Sequence, residues 1–172
     1  MTQKAVNNAK VLYRLNISRS DVEETHKIFT KAPFLLETLT NPVVSEEAKE
    51  VVLDKIARQS GMPELLENFM KMMCRIGEIG QITDIFNCYY KYWDERNHIL
   101  HAEVIYADEE TKKEKASILK QLESIYPKEE IVLSEKTDAS LLGGYVVHVG
   151  YEEYDHSYEG KLRRLERKLT GR

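Results

Sequence analysis

Hydrophobic residues in the first hundred positions recur at intervals of three and four, the spacing of one face of an α-helix. Ala5, Ala9, Leu12 and Ile17 open a first helix. Ser20-Asp21-Val22-Glu23 has the form of a capping box and leads into a second helix with Val22, Ile28 and Phe29. Pro33 suits the first turn of a short third helix carrying Phe34, Leu35 and Leu39, because its missing N–H is not needed there. Asn41-Pro42 is a break. Ser45, Glu46 and Glu47 then start a fourth helix, with carboxylates at the end where the helix dipole favours them. That helix carries Val51, Val52 and Ile56 and stops at Gly61 in the C-cap role. Pro63 opens a fifth segment, PELLENFMKMMCRIG, punctuated by Gly77 or Gly80. A long sixth helix is expected over QITDIFNCYYKYWDERNHIL. The links are short, so neighbouring helices run antiparallel, and residues 1–101 are expected to form a six-helix bundle.

From Ala102 the pattern changes. AEVIYA is short and rich in strand formers. EETKKEKASILKQLESIYP is amphipathic, with Ile118, Leu119, Leu122 and Ile125 on one side and Pro127 as its stop. EEIVLSEKT and GGYVVHVG read as two further strands, and EGKLRRLERKL as a last helix with Leu162, Leu165 and Leu169 at helical spacing. The order β-α-β-β-α predicts helices laid on a small sheet over residues 102–172. The whole is an α+β chain: an N-terminal six-helix bundle followed by a small α/β C-terminal domain.

Charge and composition remove several classes of function. The chain has 172 residues, 42% hydrophobic and 31% charged, which suits a chain that buries a core. A formal net charge of -4 gives no basic footprint for nucleic acid. No apolar run approaches the roughly 20 residues of a membrane-spanning helix. MTQKAVNNAK has no apolar signal-peptide core, so a cytoplasmic place is expected, at most peripheral to a membrane. Cys74 and Cys88 stand singly inside apolar helical patterns and read as small buried hydrophobes, not as metal ligands or a disulfide pair.

Several residues invite a chemical reading. Asp155-His156-Ser157 contains the residue types of a catalytic triad, but triads converge from distant positions in the chain. Asp155 and Ser157 are placed to offer oxygens to free N–H groups where the last helix starts. Gly143-Gly144 lacks the flanking pattern of a phosphate-binding loop and reads as a pair entering a strand that supplies positive φ or a close backbone approach. His98 and His101 are three apart and would share a helix face, without further ligands at metal-site spacing. Met70, Met72 and Met73 beside Phe69 are either core or the adaptable lining of a groove for a partner helix. Lys161, Arg163, Arg164, Arg167 and Lys168 make the last helix basic, which serves solvation or an acidic partner. No catalytic residue, cofactor or metal is expected.

Longer patterns are more specific. Asp138-x-Ser140-Leu141-x-Gly143-Gly144-x-x-Val147-x-Val149-Gly150, then Asp155-x-Ser157-x-x-Gly160-Lys161-Leu162-x-x-Leu165, resembles the C-terminal signature of the delta subunits of bacterial F-type ATP synthases. These are relatives of the mitochondrial oligomycin sensitivity conferral protein. Asn68-Phe69-Met70-Lys71-Met72-Met73 resembles that family's N-F-L-K-L-L, and Gly77 falls on its glycine. Ala9 to Tyr13 resembles its opening Y-A-x-A-L-F, and Asn41-Pro42 with the acidic helix start fits a further motif. Three positions depart: Asn8 replaces an aromatic residue, His148 a basic one and Tyr158 a small aliphatic.

The resemblance implies a stator component with no catalysis of its own. Its helical domain is expected to bind the N-terminal helix of an alpha subunit in a groove between the first and fifth helices. Candidates there are Asn8, Val11, Leu12, Met72 and Ile76. Its C-terminal domain is expected to bind the b subunits of the peripheral stalk, through Gly144, Tyr145, Leu162 and Leu165. Contact with the membrane, at its cytoplasmic face, would come only through the complex. Two rivals are a free-standing helical adaptor for acidic partner helices and a small hydrolase using Asp155, His156 and Tyr158.

Overall fold

A computed structural model describes residues 2–170. The chain divides into two compact units, Met1–Asp94 and Glu95–Arg172. Among the described residues are eight α-helices and a four-stranded mixed sheet.

The first unit is built from α1 (Gln3–Arg14), α2 (Arg19–Lys31), α3 (Pro33–Thr40), α4 (Glu46–Ser60), α5 (Glu64–Arg75) and most of α6 (Ile82–Arg96), with a 3-10 turn at Ile79–Gln81. Local chemistry sets the ends. Pro33 sits in the first turn of α3, the Ser45 side chain accepts from the Ala48 N–H, and Gly61 takes the left-handed conformation that stops α4. The capping serine of α2 is Ser18, not Ser20: its hydroxyl oxygen accepts from the Asp21 N–H at 3.2 Å. Ser18 takes the cap because the chain turns earlier than the Ser-x-x-Glu spacing suggested, at Asn16, whose φ is 57°. That turn also places Ile17 outside α1. It is still a core residue, and its carbonyl accepts a 2.8 Å hydrogen bond from the buried Tyr89 hydroxyl. Burial pushes the Tyr89 phenol up to about 12.

The core of this unit joins Ala5, Ala9 and Leu12 of α1 to Phe69, Met70 and Met73 of α5 and to Ile82, Ile85, Phe86 and Tyr89 of α6. Cys74 and Cys88 are buried free thiols, as their apolar settings predicted. The sixth helix stops at Arg96, four residues short of the expected end. His98 adopts a φ of 55°, and Ile99 already begins a strand. His98 and His101 therefore do not share a helix face.

In the second unit the strands are β1 (Ile99–Tyr106), β2 (Glu130–Thr137), β3 (Tyr145–Val149) and β4 (Glu152–Asp155), in sheet order β2-β1-β3-β4. β1 runs parallel to β2, with α7 (Lys115–Ile125) in the crossover, and antiparallel to β3; β4 returns from β3 as a hairpin. Parallel neighbours need such a crossover, whereas a hairpin needs only a turn. β4 was not foreseen, because Glu152-Glu153-Tyr154-Asp155 shows no alternation of apolar and polar positions.

Ala102, Val104 and Tyr106 of β1 and Tyr145, Val147 and Val149 of β3 share one sheet face, buried with Ile118 and Leu122 of α7. Ile125, expected on that side of α7, is exposed. The opposite face is half-open and carries polar pairs: Lys136 Nζ lies 2.6 Å from Glu103, an ion pair, and His148 Nδ1 lies 3.7 Å from Glu153. One buried group is anomalous. Among the described residues the Tyr106 hydroxyl has no hydrogen-bond partner. Removing a buried hydroxyl that is paired to no other group leaves no donor or acceptor stranded. Tyr106→Phe is therefore expected to leave stability unchanged or to raise it by about 1 kcal/mol. Urea unfolding checks this, and a loss above about 1 kcal/mol would show that the hydroxyl is in fact satisfied.

Candidate partner-binding surfaces

An uncovered apolar stripe runs along α5. Leu65, Met72 and Ile76 are 53%, 41% and 53% exposed; they border the helix face by which Leu66, Met70 and Met73 enter the core, and Phe69, between Leu65 and Met72 on that border, is itself buried. Spacings of seven and four place the three exposed residues on one helix face. The methionines thus divide: Met70 and Met73 pack the bundle, and Met72 faces outward.

Val11 of α1 is also exposed. The N-terminal part of α1 is tied to the turn just past α5. There the Asn8 amide donates to Glu78 at 3.0 Å, and Lys4 Nζ lies 2.8 Å from the same carboxylate. The Lys4 and Asn8 hydrogen bonds hold the Glu78 carboxyl below the usual carboxylate range. Asn8, half-buried, is therefore one hydrogen bond from the segment that follows Ile76. Leu12 is fully buried in the bundle core, so it supports α1 from beneath and presents no surface.

The second uncovered stripe lies on α8 (Tyr158–Thr170). Tyr158, Leu162, Leu165 and Leu169 are all more than half exposed, and Gly160 is the helix's one buried residue among those described. Tyr145, by contrast, is buried, with the His156 ring stacked on it at 5.0 Å, and Gly144 is half-buried at the entry to β3. Of the four residues expected at a stalk contact, Leu162 and Leu165 are accessible, and Gly144 and Tyr145 belong to the framework.

The sequence profile of the ATP synthase delta (OSCP) subunit family matches residues 5–169. The chain belongs to the ATP synthase delta (OSCP) subunit family. ATP synthase subunit delta of Prochlorococcus marinus strain MIT 9515 is 32% identical over 146 residues, covering 85% of this chain and 81% of that one. The same subunit of Trichodesmium erythraeum is 28% identical over 145 residues, covering 84% and 79%. The fold is shared with a chain in the cryo-EM structure of the Toxoplasma gondii mitochondrial ATP synthase hexamer. The TM-score is 0.63 at 14% identity, over 99% of this chain and 98% of that one.

The residues that identify this delta/OSCP chain are turn and cap chemistry. Ser157 caps α8, its Oγ accepting from the Gly160 N–H at 3.0 Å. Asp155 Oδ1 in turn accepts from the Ser157 N–H at 2.9 Å and from its hydroxyl at 2.6 Å. The Tyr158 N–H donates to the Gly143 carbonyl and the His156 N–H to that of Tyr145, so the β4–α8 turn is stitched to the start of β3. Gly144 has a φ of 83°, and a Cβ there would stand 2.5 Å from the His156 carbonyl oxygen. Asp155 Oδ1 is thus occupied by Ser157, and the His156 ring is stacked on Tyr145. No group of three or more His, Cys, Asp or Glu able to hold a metal occurs among the described residues.

The Ser157 hydrogen bonds hold the Asp155 carboxyl below its ordinary value of 3.8. A depressed carboxyl stabilises the fold above its unfolded pKa, and that contribution disappears as pH falls through the folded value. Below pH 3.8 the wild-type chain should therefore lose stability faster than Asp155→Asn, which can accept the same bonds without titrating. Circular dichroism against pH checks this, and parallel curves for the two proteins would contradict it.

Proposed function

We propose that this chain is a stator connector, linking the alpha-subunit N-termini of the catalytic head to the b subunits of the peripheral stalk. Proton-driven rotation is thereby coupled to ATP synthesis. The helical bundle over residues 1–101 takes the head, and residues 102–172 take the stalk. The observation that carries this reading is that each unit leaves apolar residues uncovered: Leu65, Met72 and Ile76 along α5, and Val11 on α1, in one, and Leu162 and Leu165 in the other. A helix laid on the α5 stripe would bury the apolar positions that the bundle does not use, the helix-in-groove mode of recognition. Holding two partners at once makes release of either one locally reversible, which suits a part that must resist torque. The chain supplies no chemistry, and it reaches the cytoplasmic face of the membrane only through its partners.

Isothermal calorimetry with the full chain and an alpha-subunit N-terminal peptide tests the first contact. Saturable binding is expected, and none with both components intact would count against it. Co-purification tests the second reading, a free-standing adaptor whose basic α8 takes acidic helices. Recovery of alpha and b subunits supports the connector, and recovery of other partners without them supports the adaptor.

A further inference from the structure

The two edges of the C-terminal sheet are finished differently. At one end β4 is four residues long, and its Asp155 carbonyl is taken by the Arg164 guanidinium at 2.7 Å. At the other end β2 is eight residues long and, among the described residues, pairs with β1 alone. The Glu130 N–H donates to the His98 carbonyl and the Asp138 N–H to that of Tyr106, so the even-numbered residues of β2 turn their backbone groups toward β1. The backbone alternates with a period of two, so Ile131, Leu133, Glu135 and Thr137 aim their N–H and C=O groups outward. Such an edge is a template for a further strand.

We propose that β2 pairs antiparallel with β2 of a second copy of this chain, about a two-fold axis through Leu133. Charge selects both the occupant and the register. With Leu133 opposite itself, Glu130 stands opposite Lys136 of the other copy, symmetry repeats that pair, and Val132 meets Ser134. Opposite charges facing across a strand pair stabilise it, and like charges oppose it. An axis one residue further on would set Glu130 against Asp138 and Leu133 against Glu135; one residue earlier, it would set Glu129 against Glu135. The charged residues that keep this edge from indiscriminate pairing therefore suit one arrangement with itself. Glu130, Val132, Ser134 and Lys136 are all exposed on the half-open sheet face, where Lys136 already meets Glu103 and would lie between two carboxylates. One strand pair is smaller than the about 1,200–2,000 Å² of a stable interface, so the dimer forms at high concentration and dissociates on dilution. The pairing does not depend on what covers the apolar stripes.

Sedimentation of the full chain from micromolar to millimolar concentration should show reversible dimerisation. Lys136→Glu should weaken it at least about tenfold, and adding Glu130→Lys to that variant should restore it. Cysteines read the register, with the wild-type chain, whose two thiols are buried, as the control. A mixture of Val132→Cys and Ser134→Cys chains should form a mixed disulfide on mild oxidation, because positions 132 and 134 face each other with Cα atoms about 4.5 Å apart. Either chain alone should not, its two cysteines lying on a diagonal about 7–8 Å apart. A monomer at every concentration, a dimer indifferent to Lys136→Glu, or a disulfide from either chain alone would overturn the pairing. A benzophenone amino acid at position 132 of the chain in the assembled enzyme reports other occupants. Its capture by a head or stalk subunit, with no dimer of the free chain, would assign the edge to that subunit and overturn the proposal.

Discussion

Replacing Gly160 by alanine is expected to lower the thermal midpoint of the chain by about 10 °C, corresponding to roughly 2–4 kcal/mol. The cause is local. A Cβ at Gly160 would lie well under 3.0 Å from both oxygens and the Cγ of Asp155. Helix α8 passes over that carboxylate and has no room for a methyl group. Either the helix start lifts or Asp155 swings out, and in the second case it releases the Ser157 N–H and hydroxyl together. Hydrogen bonds to a charged acceptor are worth about 1.5–3 kcal/mol each, and a lost helix cap about 1 kcal/mol. With Asp155→Ala already made, Gly160→Ala should cost much less, giving a coupling above about 1 kcal/mol in a double-mutant cycle. Differential scanning calorimetry of the four proteins measures it. A Gly160→Ala chain melting with the wild type would show that the signature glycine is not there for space.

The second large effect is expected in binding, not in folding. Ile76→Glu, or Met72→Glu, should weaken association with an alpha-subunit N-terminal peptide by about 2–4 kcal/mol, on the order of 30- to 1,000-fold. Both side chains are exposed in the isolated chain, so the thermal midpoint should stay within a few degrees. On a covered stripe the new carboxylate would be taken out of water with no partner, which is where the penalty arises. Val51→Glu, on an exposed α4 position outside the α5 stripe, serves as the control and should bind normally. Equal losses at Val51 and Ile76 would mean that net charge, not the stripe, governs the contact.

Much of the fold was legible wherever one residue type had one physical use. Pro33 at a helix start, Ser45 as a cap and Gly61 in the left-handed region could each be read from sequence because few other residues do those jobs. The Asp155–Gly160 turn was legible for the same reason. Errors came where two candidates competed or the signal was too short. Ser18 and Ser20 both offer a hydroxyl, and only the bend at Asn16 decides between them. The end of α6 was misplaced because Asn97 to Leu100 continues a helical pattern of polar and apolar residues, and the left-handed turn at His98 has no glycine to announce it. β4 is four mostly acidic residues, held by its hairpin with β3 more than by its own pattern.

The candidate surfaces were legible only in part, because spacing gives a helix face but not which face its neighbours cover. Met72 and Met73 are adjacent, yet one is exposed and the other is core. Leu12 and Val11 divide in the same way on α1, and Tyr145 and Leu162 in the C-terminal unit. Leu65 was not named as a partner-contact residue, and Tyr158 was named only for a hydrolase, because a sequence alone does not distinguish a stripe left open from one that is packed.

As the proposed stator connector, this chain would hold a rotating machine's head to its stalk through its two sets of uncovered apolar residues. That role is tested most directly in reconstituted vesicles, by ATP-driven proton pumping measured alongside ATP hydrolysis, with the chain present, omitted or added back. Omission should leave hydrolysis running while pumping collapses; the wild-type chain should restore pumping, and the Ile76→Glu chain should not. Pumping that stays tightly coupled to hydrolysis in the chain's absence would contradict it.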